Sequence, residues 1–339
     1  MDYDRYEIED DSYYLFTSAE LKAREYEFVE KSRFERMLQS EDMDSFLKVL
    51  GETVYVPFIP DISSRSSFEK VMMDSYGTIL RYLEERLRDE HRMLSHILFF
   101  EEILHNMKVI LKSVILEKDL SSLFIPVIYD WDQLASTYSS DDHKDTEKFT
   151  GKLISFLKDI LEKPGEKDYR KIELGFEKFY SGAVTGIAAD LNRKMISEYI
   201  SQKIDLINIE NIYRWKQMGE KKGFYEILHN GGNISLDVLE GFESETMDYM
   251  VKELERTDYG DIVIKGAQNL TADCSFSSFE RNRDLYFIDY FDNFKYSTSN
   301  LEKIFQFFLK KKIELVNINI LFTGILYNAK RSNIKCKID

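Results

Sequence analysis

An asparagine set inside an apolar helical stretch recurs three times in this chain, in Ile103-Leu-His-Asn106-Met-Lys-Val-Ile110, Asp205-Leu-Ile-Asn208-Ile-Glu-Asn-Ile212 and Glu314-Leu-Val-Asn317-Ile-Asn-Ile-Leu321. The copies stand 102 and 109 residues apart (106 to 208, 208 to 317), a period long enough for a bundle of several helices in each unit. A buried amide costs roughly 1–3 kcal/mol unless it is hydrogen-bonded. A thrice-kept asparagine therefore points to a repeated structural task, bonding a neighbouring helix or loop of its own bundle and fixing packing register, with direct partner binding as the competing reading. The period predicts three homologous helical units over residues 1–116, 117–225 and 226–339.

A second signature, Leu-x-x-Thr-x-Tyr, occurs as Leu50, Thr53, Tyr55 and again as Leu254, Thr257, Tyr259, each time after an amphipathic segment. The middle unit lacks it. From Ile79 the apolar residues Leu80, Leu83, Leu87, Leu94 and Leu98 trace one stripe of a helix, and beyond Ile97 the pattern widens into a stretch enclosed on several sides. Similar long segments run from Ile172 to about Gln217 and from Ser277 to about Ala329, each with a break. Residues 136–146, 163–167 and 231–235 read as loops. With four prolines and 15 glycines in 339 residues, the chain is read as all-α.

The sequence offers no constellation for catalysis. Its five histidines include His91 and His96, five apart rather than at the four-residue step of a helical zinc site. Glu101 and His105 are spaced to meet on one helical face, as a packing or surface pair. Cys274 and Cys336 are too distant for a C-x-x-C site, and Gly151-Lys152 lacks the rest of a phosphate-binding loop. His229-Asn-Gly-Gly-Asn233 reads as a turn between helices. No catalytic, cofactor or metal residue is expected. A net charge of −15 disfavours nucleic acid and anionic lipid, and the longest apolar stretch, Ile318 to Tyr327, is too short to span a bilayer. Any work at a membrane then requires a protein to hold the chain there. Lys310-Lys-Lys312 and the basic tail from Lys330 to Lys337 read mainly as a solvated face and a helix-ending cationic turn, with a docking contact for an acidic partner loop as the alternative.

Several stretches carry a family likeness. Tyr14-Leu-Phe-Thr-Ser-Ala19-Glu-Leu-Lys-Ala-Arg24-Glu25, Phe34-Glu-Arg-Met-Leu38 and Leu50-Gly-Glu-Thr53-Val-Tyr55 resemble the opening of the C subunit of V-type ATPases, called d in eukaryotes. His105-Asn-Met-Lys108-Val-Ile-Leu-Lys112, Ile204-Asp-Leu-Ile-Asn208-Ile with Arg214 and Lys216, and Glu314-Leu-Val-Asn317-Ile extend the resemblance over nearly the whole chain. Asn319 and Gly324-Ile325 depart from it, standing where the family usually has a basic residue and a Gly-Lys pair. The resemblance implies a funnel of three similar helical bundles with pseudo-threefold symmetry. Such a part is a non-catalytic, cytoplasmic, membrane-peripheral adaptor, monomeric on its own, that joins the central axle subunits to the membrane rotor ring and transmits torque for proton or sodium transport. The resemblance leaves the ion and the direction of operation open, as it does the individual contact residues. The rival readings are a generic helical-repeat scaffold, which would show repeats of roughly 30–50 residues, and a helical enzyme, which would need clustered titratable residues.

Overall fold

The structure is a computed structural model describing residues 11–62, 64–128, 155–156, 158–159, 169–191, 193–219, 222–273, 277–293 and 300–338. The expected loops at 136–146 and 163–167, the Gly151-Lys152 pair and Cys274 lie outside the described residues. Among those described, every regular element is helical and there is no strand.

The chain forms two compact units, one from residues 1–88 with 253–339 and the other from residues 89–252. The first begins with α1 (Leu15–Arg24), α2 (Lys31–Leu38), α3 (Met43–Leu50) and α4 (Arg65–Glu85). Local chemistry sets two of these starts. Asp42 accepts from the Ser45 amide while the Ser45 hydroxyl faces back to the Asp42 amide, and Ser64 and Ser67 repeat this reciprocal cap before α4. The second unit holds α5 (Leu94–Leu98), α6 (Phe100–Leu116), α7 (Tyr169–Asp190), α8 (Lys194–Gln217) and α9 (Leu236–Gly241). The chain returns to the first unit within α10 (Met247–Leu254) and completes it with α11 (Gly260–Asp273), α12 (Ser277–Asp292), α13 (Glu302–Leu326) and α14 (Arg331–Ile338).

The stripe from Leu80 to Leu98 is not one helix. Leu80 and Leu83 lie in α4, Leu94 and Leu98 in α5, and the chain turns between Glu85 and Leu94. The polar groups of the turn find partners elsewhere in the first unit. Arg86 bonds Glu20 at 3.2 Å, Arg88 pairs with Asp11 at 3.1 Å, and the Arg88 amide donates to the Tyr14 hydroxyl at 3.3 Å. Leu87 is buried across the break, so the apolar spacing continues although the helix does not. The other two long segments break as expected, between α7 and α8 and between α12 and α13.

Helix α13 is enclosed on nearly every side, and it is the spine of the first unit. Around its C-terminal half pack Met37, Leu38, Phe46, Leu50, Phe68 and Ile334, with the Phe68 and Phe322 rings stacked 3.6 Å apart. Burying each such side chain contributes about 1.5–3 kcal/mol. The cationic run lies inside this helix, which corrects the solvated-face reading. Lys311 is buried, Lys310 reaches Glu25 at 3.4 Å, and the Lys312 ammonium stands over the Phe308 ring.

Candidate functional site

The first two asparagine signatures fold into the same device. Asn106, wholly buried on α6, accepts from the Ile125 amide at 2.8 Å and donates to the Ile125 carbonyl at 2.7 Å. Asn208, wholly buried on α8, accepts from the His229 amide at 2.7 Å and donates to the His229 carbonyl at 2.9 Å. One carboxamide thus satisfies both backbone groups of one residue, 19 or 21 positions further along the chain. That leaves no buried amide or carbonyl of the gripped residue to be solvated.

Asn317 on α13 does something else. Its Oδ1 accepts from Arg281 Nη1 of α12 at 2.9 Å, while Arg281 Nη2 holds the carbonyl of Ile338, 21 positions after Asn317. The guanidinium stands between the amide and the tail that would complete the pattern. Asn317 lines a cleft of about 1290 Å³ with residues of α2, α3 and α14.

Three positions before two of these asparagines stand buried carboxylates that periodicity alone does not flag. Asp205, with no exposed surface, accepts from the amides of Asn233 at 2.9 Å and Ile234 at 3.0 Å, just before α9. Glu314 accepts from the Val29 amide at 2.6 Å, just before α2, and from the Tyr55 hydroxyl at 2.7 Å. Its charge is met by Lys311 at 2.5 Å, whose ammonium also lies over the rings of Phe28 and Tyr55. Burial, and then the Glu314 charge, push the Tyr55 phenol far above its ordinary range, so it stays a donor. Val29 and Asn233 are 204 residues apart, the separation that also relates Met43 to Met247, the first residues of α3 and α10.

The Leu-x-x-Thr-x-Tyr elements are likewise one structure used twice. Thr53 donates its hydroxyl to the Leu50 carbonyl at 2.6 Å and accepts from the Tyr55 amide at 3.2 Å. Thr257 donates to Leu254 at 2.6 Å and accepts from the Tyr259 amide at 3.3 Å. Each threonine closes the C-terminal turn of an eight-residue helix and aims a tyrosine into the core. Gly232 completes the contact at Asp205, since a Cβ there would meet Oδ1 at 2.0 Å.

The histidines and charged residues singled out in the sequence have partners within the fold. Glu101 and His105 do not pair. Glu101 meets buried Lys203 at 3.1 Å, and His105 Nε2 donates to the Leu123 carbonyl at 3.0 Å. Burial lowers His96 and His229 to about 4, so both imidazoles are neutral near pH 7, and His229 Nδ1 contacts the Ser181 hydroxyl at 3.0 Å. Lys216, which belongs to the family likeness, donates to the carbonyls of Phe242 and Glu245, each at 2.6 Å. Among the described residues no three His, Cys, Asp or Glu side chains are set to hold a metal, and no helix is long and apolar enough to cross a membrane.

These features define an all-helical protein in which buried polar side chains hold backbone at several points. Residues 17–336 match the family of ATP synthase (C/AC39) subunits, and the chain belongs to that family. It is accordingly a non-catalytic subunit of a V/A-type rotary ATPase. The C subunit of the V-type sodium ATPase of Enterococcus hirae is 22% identical over 312 residues, covering 90% of this chain and 91% of the relative. Its counterpart in the A-type ATP synthase of Pyrococcus horikoshii is 25% identical over 265 residues, covering 73% and 69%. The corresponding protein of Thermococcus onnurineus, also from an A-type ATP synthase, is 23% identical over 285 residues, covering 77% and 73%.

Proposed function

We propose that this chain is the central-stalk adaptor of its rotary ATPase, peripheral to the membrane on the cytoplasmic side, seating the axle subunits on the membrane rotor ring and passing torque between them. The observation that carries the reading is the family match over residues 17–336, nearly the whole chain. In this reading three related helical bundles, residues 1–116, 117–225 and 226–339, form a funnel with pseudo-threefold symmetry. The twin clamps at Asn106 and Asn208, the twin carboxylates Asp205 and Glu314 and the twin threonine turns support repetition of one ancestral unit, because like chemistry recurs 102, 109 and 204 residues apart. Each clamp reaches just past its own unit, to Ile125 and His229, and so ties it to the start of the next instead of within its own bundle as the sequence suggested. A part that transmits torque needs stiff elements tied at many points, and each clamp fastens a long helix to a distant stretch of chain without spending a flexible side chain.

The role is tested in vesicles from cells lacking this chain. ATP-driven ion uptake should be lost while the detached catalytic head still hydrolyses ATP, and adding the purified chain back should restore uptake. Uptake that persists without the chain would contradict the role.

A further inference from the structure

The two asparagine clamps make the same bonds and differ in what they hold. Asn106 grips Ile125, whose side chain has no proton to gain, whereas Asn208 grips His229, whose ring is buried beside the clamp. The bonds around that ring fix where its proton sits. Ser181 Oγ gives its one proton to the Glu177 carbonyl at 2.7 Å, so towards His229 Nδ1, 3.0 Å away, it can only accept. The neutral ring therefore carries its proton on Nδ1, and Nε2 is a buried lone pair with no hydrogen-bond partner among the described residues.

A second proton has no place in this site, because on Nε2 it would make a buried charge and a donor without an acceptor. The charged groups of the packed elements do not compensate it. On α7, Glu177 is held by Lys108 of α6 at 2.5 Å, and Lys178 adds a like charge. On α8, Asp205 is taken by the amides of Asn233 and Ile234, and Glu226, on the turn before His229, pairs with Lys171 at 3.5 Å. The ring cannot leave alone, since Asn208 holds the backbone of the same residue on both sides. The stretch around it is pinned at either end. Asn211 Nδ2 donates to the Ile227 carbonyl at 3.0 Å, and Asp205 holds Asn233 and Ile234, while Gly231 and Gly232 lie between these pins.

We propose that the Asn208 clamp is an acid-released latch: a second proton on the His229 ring swings residues 229–232 away from α8, while the matching clamp on Ile125 stays closed. The nearest histidine to the Ile125 clamp is no obstacle, because His105 donates to the Leu123 carbonyl and a doubly protonated ring still donates there. In the three-bundle reading, acid thus slackens the tie between the second and third bundles and spares the tie between the first and second. The latch itself does not depend on that reading. Its magnitude follows from linkage: burial holds the closed ring at about 4 against 6.5 for a solvated one, so the opening constant should rise about twentyfold from pH 7 to pH 5.

The test is amide hydrogen exchange of the full chain, read residue by residue at pH 7, 6 and 5 and corrected for intrinsic exchange. The opening constant at the His229 amide should rise about twentyfold over that range and that at the Ile125 amide by less than about twofold. His229→Ile, which copies the first clamp, should abolish the rise, and His96→Leu, which removes the other buried neutral histidine, should keep it. Ring 15N spectra of the parent at pH 7, which need no variant, should place the His229 proton on Nδ1. A flat profile at His229, equal rises at Ile125 and His229, a rise that survives H229I, or a proton found on Nε2 overturns the latch. Each of these failures leaves the adaptor reading intact, because ion uptake in vesicles measures that separately.

Discussion

Replacing Asn208 by Leu removes the clamp on His229 while keeping the branched four-atom side-chain shape, so the loss is that of the hydrogen bonds plus the crowding of two bulkier methyls. Two bonds, of 2.7 and 2.9 Å, disappear, and the His229 amide and carbonyl remain in a site where His229 itself is 2% exposed. Each unsatisfied buried group costs about 1–3 kcal/mol, and partial relaxation recovers some of it, giving an expected loss of about 3 kcal/mol. Trp215, in the 89–252 unit, packs edge-on against Phe224 next to the clamped stretch. Urea unfolding followed by tryptophan fluorescence therefore reads the unit that carries the change. Asn106→Leu should cost less, about 1–2 kcal/mol, because water can reach the half-buried Ile125. Asn317→Leu, followed by circular dichroism, should cost about 1 kcal/mol or less, since its amide borders an open cleft and Arg281 keeps Ile338. A loss below about 1 kcal/mol for Asn208→Leu, or an equal loss at all three positions, would refute the reasoning.

Glu314→Gln should destabilise the first unit by about 3–5 kcal/mol, because it leaves the buried Lys311 ammonium uncompensated, while Tyr55→Phe should cost only about 1–2 kcal/mol; denaturant midpoints decide the order. Stability should be level above pH 6.5 and fall between 6.5 and about 4, because the unfolded chain protonates His96 and His229 before the folded chain does. The upper limit is about 3 kcal/mol per histidine, and His229→Gln should flatten the slope of a urea-midpoint profile over that range. Gly232→Ala should lose about 2 kcal/mol or more by driving a Cβ into Asp205, whereas Gly182→Ala and Gly186→Ala, open positions inside α7, should each gain about 0.5–1 kcal/mol in thermal or urea unfolding.

Helical character and the recurring asparagines were legible because both are periodic properties of the chain itself. A polar side chain in an otherwise apolar helix announces that something must bond it, but not what. The partners of Asn106 and Asn208 lie 19 and 21 residues away in stretches with no periodicity of their own. The carboxylates were missed for a related reason, since an acidic residue among helical charges looks solvated unless its face is known. The signal that was there is the shared offset, three residues before Asn208 and before Asn317. Lys311 was hidden in the same way, its neighbours in the run being more exposed than itself. The turn between Glu85 and Leu94 escaped because Leu87 is buried through it, so hydrophobic spacing alone could not register the loss of helical hydrogen bonds. Arg281, which sets Asn317 apart, is an ordinary cation in sequence, and only folding brings it between α13 and the tail.

The most direct test of the adaptor role is purification of the tagged chain from gently solubilised membranes of its own host, with every co-purifying subunit quantified by mass spectrometry. The account predicts axle, catalytic-head and rotor-ring subunits in fixed proportion to the chain. Recovery of the chain alone, as a stable species without those subunits, would contradict it.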